Sequence, residues 1–136
     1  MLGDNAGSFW SYIDALDIDA NNPQALYGCG LVLKSQERLQ DSITYLSKAV
    51  AADPKFSEAR HLLAVTYTDF GTCLKSVGKT DEGSLCYAKA TEVDPTYAAA
   101  HYNLGVVHGE CGDSTAAMRS YQLALKHQPD GYCEAH

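Results

Sequence analysis

The sequence lacks long apolar runs and is poor in basic residues, and each absence excludes a class of function. No apolar stretch approaches the ~20 residues that cross a bilayer, so we expect no membrane association through a span. Lys and Arg number 10 against 17 Asp and Glu, which gives a formal net charge of −7. Nucleic acid and anionic membrane surfaces are bound by basic patches, so neither is expected as the main partner.

Paired cysteine motifs are also missing. The five cysteines are Cys29, Cys73, Cys86, Cys111 and Cys133. Because their number is odd and no two have CxxC spacing, the sequence predicts neither a disulfide framework nor a thiolate zinc site. Free cysteines fit a reducing compartment, and the first residues do not have the pattern of a secretion signal. We therefore expect a location in the cytoplasm or the nucleus.

What the chain does contain is a recurring proline. Pro54, Pro95 and Pro129 each close an amphipathic stretch, and 34 residues separate the last two. That spacing is the period of the tetratricopeptide repeat, a pair of antiparallel helices. From Pro54 to Pro95 there are 41 residues, one period plus seven. Seven residues make almost two helical turns, so this insertion lengthens a helix and keeps its buried face in place.

The spacing predicts an all-α fold, a right-handed superhelix of antiparallel helix pairs with one helix elongated by two turns. The expected divisions are 1–22, a partial repeat with helix B only; 23–56, a repeat; 57–97, a repeat with an elongated first helix; 98–131, a repeat; and 132–136, the start of a further repeat. Helices are expected over 24–36 and 39–52, and one helix of about twenty residues over 57–77.

When the closing proline is numbered as position 32, small residues recur where helices should touch. Position 8 holds Gly30, Gly71 and Gly105; position 20 holds Ser8, Ser42, Gly83 and Ala117; position 27 holds Ala15, Ala49, Ala90 and Ala124. Glycine inside a helix is unfavourable, so its recurrence indicates close backbone approach. Position 24 holds Tyr12, Leu46, Tyr87 and Tyr121, which should fill the gap to the next repeat. Asp41, Asp81 and Ser114 are expected near the starts of the second helices, where an oxygen can cap free amides and negative charge suits the helix dipole.

Three stretches carry a resemblance to a known family: ALYGCGLVLKSQ (25–36), LAVTYTDFGTCLKSVGKTDEG (63–83) and YAAAHYNLGVVHGE (97–110). The chain resembles the tetratricopeptide region of the SPINDLY proteins, plant-type relatives of the O-linked N-acetylglucosamine transferases, and the seven-residue elongation matches that family's long repeat. The resemblance implies transfer of fucose or N-acetylglucosamine to Ser/Thr of nuclear and cytosolic proteins, and a link to gibberellin signalling. The catalytic part of such proteins is absent here, so no catalytic residue is carried over.

Helix A lines the concave groove of such a superhelix, mainly at positions 2, 5, 6, 9, 12 and 13. The candidate partner-binding residues are Tyr27, Lys34, Thr68, Asp69, Thr72, Lys75, Tyr102, Asn103 and Glu110. In the related transferases an Asn at position 6 holds the peptide backbone, because an amide can donate and accept a hydrogen bond at once. Here only Asn103 stands at that position, so a continuous Asn ladder is absent.

No catalytic, cofactor or metal site is expected. His101, His108 and Cys111 share a helix, but His101 and His108 stand where repeats bury aromatic side chains, so packing is the better account. Cys86 has no His beside it in the sequence and no nucleophile motif around it.

The function expected is recognition of a protein or peptide, as part of a SPINDLY-type glycosyltransferase, with homodimerisation through the repeats as a further expectation. The alternative is a stand-alone scaffold or adaptor with no enzymatic link.

Overall fold

The computed structural model describes residues 13–16, 18–19 and 21–127, and these are helical apart from short turns. Within the described stretch 21–127, six helices follow one another: α1 Pro23–Ser35, α2 Leu39–Ala52, α3 Ser57–Ser76, α4 Thr80–Val93, α5 Ala98–Glu110 and α6 Ser114–His127. The predicted all-α fold of helix pairs is confirmed, and α3 has the expected twenty residues against thirteen in α1 and α5. Within the described ranges, no helix is both long and apolar enough to cross a bilayer.

The chain forms two compact units that divide after Thr66. The first unit contains α1, α2 and the beginning of α3, and the second contains the rest of α3 with α4, α5 and α6. Most of the predicted helix B of 1–22 and the whole of 132–136 lie outside the described residues, although 13–16 are helical.

In the first unit, local sequence signals set the start of α1. Asn22 is the N-cap, and its side-chain oxygen accepts a hydrogen bond of 3.1 Å from the Ala25 amide. Pro23 begins the helix, where its missing N–H is not needed. The core of this unit forms from Leu26, Ala49 and Ala59, which are buried together; Leu16, Tyr27, Tyr45, Val50 and Phe56 pack against it.

In the α1–α2 hairpin the two helices approach each other very closely. A Cβ added at Gly30 would lie 2.5 Å from Cγ of Leu46, a side chain with no exposed surface. Ser42 is also fully buried, and its Oγ donates a 2.7 Å hydrogen bond to the Gly30 carbonyl oxygen. In this hairpin, small residues are needed at positions 8 and 20 because the two helices touch there. This confirms the close approach inferred from the sequence.

The same contact recurs in the second unit with different side chains. A Cβ on Gly83 would lie 2.6 Å from the Gly71 carbonyl oxygen, and a Cβ on Gly71 would lie 2.9 Å from the Tyr87 ring. In the α5–α6 hairpin a Cβ on Gly105 would come within 2.6 Å of the Tyr121 ring. Backbone faces backbone at Gly71 and Gly83, so this pair has the least room to adjust.

Position 24 only partly fulfils its predicted role. Leu46 and Tyr87 have 0% and 2% of their surface exposed, as expected for residues that fill the gap to the next helix. Tyr121 is 36% exposed, because nothing in the described part of the chain covers α6 as α5 covers α4. Tyr12 lies outside the described residues, as does Ser8. The alanines predicted at position 27 in α2, α4 and α6 are all buried.

Asp41, Asp81 and Ser114 lie at the starts of the second helices as predicted, but none of the three is the N-cap residue. Arg38 and Lys79 are the N-cap residues of α2 and α4, and neither makes a side-chain capping hydrogen bond. Asp41 and Asp81 lie in the first turn, where their charge suits the helix dipole. For α6 the cap is Asp113 instead of Ser114, because Asp113 Oδ1 accepts a 3.1 Å hydrogen bond from the Ala116 amide.

The turn between the two helices of each pair has one residue in the left-handed region. That residue is Glu37 (φ 65°), Gly78 (φ 91°) or Gly112 (φ 87°), all at position 15. The next amide bonds back across the helix end, for example from Arg38 N to the Leu33 oxygen at 2.9 Å. Such helix ends favour glycine, and only the first repeat lacks it.

Replacement of Gly83 by Ala should lower the free energy of unfolding by about 1–3 kcal/mol, because the new Cβ would overlap the Gly71 backbone. Gly109 is the matched control. Its added Cβ would meet only Ala117 at 3.9 Å, so Gly109→Ala should stabilise by roughly 0.5–1 kcal/mol through helix propensity. Urea unfolding followed by far-UV circular dichroism measures both, and equal effects of the same sign would contradict the packing account.

Glu37→Gly should raise the free energy of unfolding by about 1 kcal/mol, since a side chain in the left-handed region is strained. The reverse change, Gly78→Ala, meets no atom within 4 Å and should destabilise through backbone strain alone. Thermal unfolding of the two variants should therefore move the midpoint in opposite directions. A lower midpoint for Glu37→Gly would show that the Glu37 side chain stabilises the turn by other means.

Candidate functional site

Most of the candidate binding residues lie on two first helices of the second unit. Thr68, Asp69, Thr72 and Lys75 belong to α3, and Tyr102, Asn103 and Glu110 belong to α5. Tyr27 and Lys34 belong to α1, in the first unit. The structure therefore distributes the candidates over two units, and the larger set can be examined within one of them.

An ion pair joins α3 to α5. Lys75 Nζ lies 3.1 Å from one carboxylate oxygen of Glu110 and 3.2 Å from the other. Both side chains are partly exposed, so the pair contributes no more than about 1 kcal/mol to stability. The ion pair holds a cation on α3 beside an anion on α5.

Thr72 is held by hydrogen bonds within the hairpin. Its Oγ1 lies 3.1 Å from the Thr68 carbonyl oxygen and 2.9 Å from the Tyr87 hydroxyl. A carbonyl can only accept, so Thr72 donates its one proton to Thr68 and the Tyr87 hydroxyl donates to Thr72. Because Tyr87 is buried, this bond also satisfies a buried phenol. Thr72 thus has a structural role in addition to any contact with a partner.

Thr68 and Asp69 differ in the surface they offer. Thr68 is only 4% exposed, which leaves almost none of its side chain for a ligand. Asp69, the next residue, is half-buried. The register placed Thr68 on the groove face, but it could not show that neighbouring side chains cover this position in the longest helix.

Tyr102 and Asn103 are neighbouring polar residues near the start of α5. Tyr102 is exposed, and its ring is tilted against that of Tyr121 with 5.7 Å between centroids. Asn103 is half-buried, and within the described ranges its amide makes no hydrogen bond. An amide in that state can both donate to and accept from a main chain laid along the helix.

In the first unit, packing accounts for one of the two candidates. The ring of Tyr27 is 5.1 Å from that of Phe56, and both pack against the buried cluster around Leu26. Lys34 is half-buried in the last turn of α1, where a cation suits the helix dipole. Leu31 was missed by sequence reasoning; it is exposed at position 9, a position that by register lines the groove.

His101 has the packing role that the sequence predicted. It is buried, its Nε2 lies 2.8 Å from the Pro95 carbonyl oxygen, and its ring stacks on His127 at 5.9 Å. His108 is half-buried and Cys111 is exposed. The described residues contain no group of three or more side chains arranged to hold a metal ion.

The buried cysteines are poor nucleophiles. Burial raises the pKa of the Cys29 thiol above its ordinary value. Burial also raises the pKa of Cys86, and the nearby Glu82 carboxylate raises it further, while Lys89 acts in the opposite direction. A raised pKa reduces the thiolate, which is the reactive form. Cys73 and Cys111, by contrast, are exposed.

Comparison with protein families identifies the class. A tetratricopeptide repeat model matches residues 23–56 and 98–130, and a second TPR repeat model matches 74–112. The chain belongs to the tetratricopeptide-repeat family. Its fold is similar to two structures of the repeat protein MamA, a double mutant of MamA RS-1 (TM-score 0.61) and MamA 41-end from Desulfovibrio magneticus RS-1 (0.59). Each alignment includes 92% of this chain at 23% identity, and it covers 66% of the first MamA chain and 67% of the second. At this identity the similarity shows the fold alone.

Within that family the chain is similar to the repeats of SPINDLY proteins. It is 38% identical over 87% of its length to a probable UDP-N-acetylglucosamine–peptide N-acetylglucosaminyltransferase SPINDLY from Hordeum vulgare. It is 41% identical over 86% of its length to the protein of the same name from Eustoma exaltatum subsp. russellianum. The chain spans 12% of the length of each relative, which is their tetratricopeptide region.

The exposure and pKa differences predict an order of thiol alkylation in the native protein. At about pH 8, Cys73 and Cys111 should react with iodoacetamide first, whereas Cys29 and Cys86 should react at a similar rate only after unfolding in urea. Peptide mapping by mass spectrometry at successive times measures the four rates. Rapid native labelling of Cys86 would contradict its burial and would reopen the question of a reactive thiol.

Proposed function

We propose that this chain is a protein-recognition module of a SPINDLY-type glycosyltransferase, and that it holds an extended polypeptide along the first helices of its repeats. The observation that carries the proposal is the similarity to two SPINDLY proteins over 86–87% of the chain. Tetratricopeptide helix pairs stack into extended concave binding surfaces, and the polar residues of α3 and α5 stand at the register positions that line them.

The second unit supplies the chemistry for such binding. Asn103 has an amide with unused hydrogen-bonding capacity, and Tyr102 beside it combines an apolar ring with a polar hydroxyl. Lys75 and Glu110 present opposite charges that are already paired. A bound main chain would satisfy the Asn103 amide, and side chains of either charge could exchange with the ion pair. This surface therefore favours recognition of the backbone over recognition of one charge.

The wider function follows from the same similarity. The catalytic part, which would transfer N-acetylglucosamine or fucose to Ser or Thr, lies outside this chain, so the module's role would be to present acceptor proteins or a partner subunit to it. We further propose that the protein acts in the nucleus and the cytoplasm, in gibberellin signalling, and that its repeats can mediate a homodimer. The repeat boundaries inferred from the sequence, 23–56, 57–97 and 98–131, belong to the same proposal.

The proposal predicts that Asn103→Ala weakens the binding of extended Ser/Thr-containing peptides. Loss of one backbone hydrogen bond of about 0.5–1.5 kcal/mol corresponds to a reduction in affinity of roughly twofold to tenfold. The binding partners can be found with an array of peptides from nuclear and cytosolic plant proteins, and affinities measured by fluorescence anisotropy. Gln40→Ala, which removes an exposed amide on α2, is the matched control.

Peptides that bind should then be offered to the Hordeum vulgare SPINDLY protein with its sugar nucleotide. Incorporation of sugar, detected by mass spectrometry, would support the transferase assignment. Binding without any incorporation would leave a scaffold with no enzymatic link. Equal binding by the Asn103→Ala and unaltered chains would place the peptide elsewhere on the module.

A further inference from the structure

One exposed hydroxyl group on α3 has its proton committed inside the protein. Thr72 is exposed, whereas Thr66 and Thr68, the other threonines of α3, have 0% and 4% of their surface exposed. The Thr72 hydroxyl oxygen lies 3.1 Å from the Thr68 carbonyl oxygen. Because a carbonyl can only accept, the single Thr72 proton is donated there. Towards any group outside the helix, the Thr72 hydroxyl can therefore only accept a hydrogen bond.

The phenol of Tyr87 occupies part of the remaining capacity of this hydroxyl. A Cβ added at Gly71 would lie 2.9 Å from the Tyr87 ring, so the ring lies close against α3, and its hydroxyl reaches Thr72 at 2.9 Å. This phenol is buried, and it donates its proton to Thr72. A hydroxyl oxygen has two lone pairs, and no other group of the described residues bonds to Thr72. One lone pair is left for a ligand.

On α5, Asn103 offers hydrogen-bonding groups of a different kind. The ion pair of Lys75 with Glu110 shows that side chains of α3 and α5 meet. Thr72 precedes Lys75 by three residues, and Asn103 precedes Glu110 by seven, so they stand about one and two helical turns before that contact. The Asn103 amide can donate and accept. The surface of α3 and α5 therefore combines one group that binds either partner with one that binds only a donor.

The main chain of an extended polypeptide is complementary to this combination. One residue presents its N–H and its C=O together, and the Asn103 amide can bind both. Successive residues of an extended chain direct these groups to opposite edges. While Asn103 binds one edge, the N–H groups on the other edge are free to meet an acceptor on α3. Every residue except proline has such an N–H.

We propose that Thr72 is a specificity-determining residue, whose hydroxyl oxygen accepts a hydrogen bond from one main-chain N–H of the bound polypeptide and so excludes proline at that position. The N–H belongs to a residue an odd number of places from the one that Asn103 binds, because the two lie on opposite edges. This role of Thr72 rests on the proposed binding of an extended polypeptide by α3 and α5. It adds the class of sequence that the groove accepts.

Replacing the amides of a bound peptide one at a time tests this role. The probe is the Ser/Thr-containing peptide that binds most tightly in the array, with a series in which a single amide N–H is replaced by an ester oxygen. An ester at the position that faces Thr72 should lower the affinity measured by fluorescence anisotropy roughly twofold to tenfold, since one hydrogen bond is lost. Proline at that position should weaken binding at least as much.

Variants of the protein then identify the acceptor. Thr72→Val alone would leave the buried Tyr87 hydroxyl without a partner, so it is combined with Tyr87→Phe and compared with Tyr87→Phe alone. Loss of the Thr72 hydroxyl should weaken binding of the unmodified peptide roughly twofold to tenfold, and it should abolish the effect of that one ester. Circular dichroism and urea unfolding establish that each variant is folded.

Thr44→Val is the matched control. Thr44 also bonds back by four residues, at 3.1 Å to the Gln40 carbonyl oxygen, and it is exposed on α2, a second helix. Its replacement removes the same hydroxyl group from a helix surface that does not line the groove by register. Affinity for the peptide should be unchanged in this variant.

The outcomes distinguish the role of Thr72 from the wider function. If Asn103→Ala weakens binding but every ester has the same effect with and without the Thr72 hydroxyl, Thr72 is not the acceptor, and the peptide-binding proposal stands without it. An equal loss of affinity in Thr44→Val would also contradict the role of Thr72. If no peptide of the array binds, or if Asn103→Ala binds as the unaltered chain does, the groove proposal is wrong and the role of Thr72 falls with it.

Discussion

The close approach of the two helices in each pair is the constraint on which the rest of the structure depends. Each pair achieves it differently: Gly30 accommodates Leu46, Gly71 lies against the backbone of Gly83, and Gly105 lies under Tyr121. Because the helices meet so closely, each pair buries its own seam, and its second helix is left with a face for the next element. Leu46 and Tyr87, which are buried on the second helices of their pairs, are two results of this one geometry.

The polar surface of the first helices is a consequence of the same packing. The small residues Gly71 and Gly105 make the close helix contacts, and larger polar residues stand beside them on α3 and α5. Thr72 shows how the two roles meet, because its hydroxyl ties α3 to Tyr87 while its position is on the candidate groove face. Asn103 has no such internal partner among the described residues, so its amide keeps its hydrogen-bonding capacity.

The sequence predicted the helices well because their signals are local or periodic. Proline spacing, the glycine register and the seven-residue insertion gave the helix order, the close contacts and the length of α3. What failed depends on neighbours distant in sequence or on backbone angles. Burial of Thr68 comes from tertiary packing, and the Glu37 turn has a positive φ that its side chain does not signal. Asp113 caps α6 through a hydrogen bond from the Ala116 amide, although the neighbouring Ser114 offers a similar oxygen in the sequence. The groove candidates could not be ranked from the sequence, because their order depends on burial and on internal hydrogen bonds.

The hydrogen bonds that close the hairpins have a kinetic consequence. Ser42 bonds to Gly30 twelve residues away, and Thr72 contacts Tyr87 fifteen residues away. Closing loops of this size takes far less than a millisecond, and proteins rich in such local contacts fold rapidly. A ribosome adds only about 5–20 residues per second. Each hairpin can therefore assemble as soon as it leaves the exit tunnel, well before the following repeat has been synthesised.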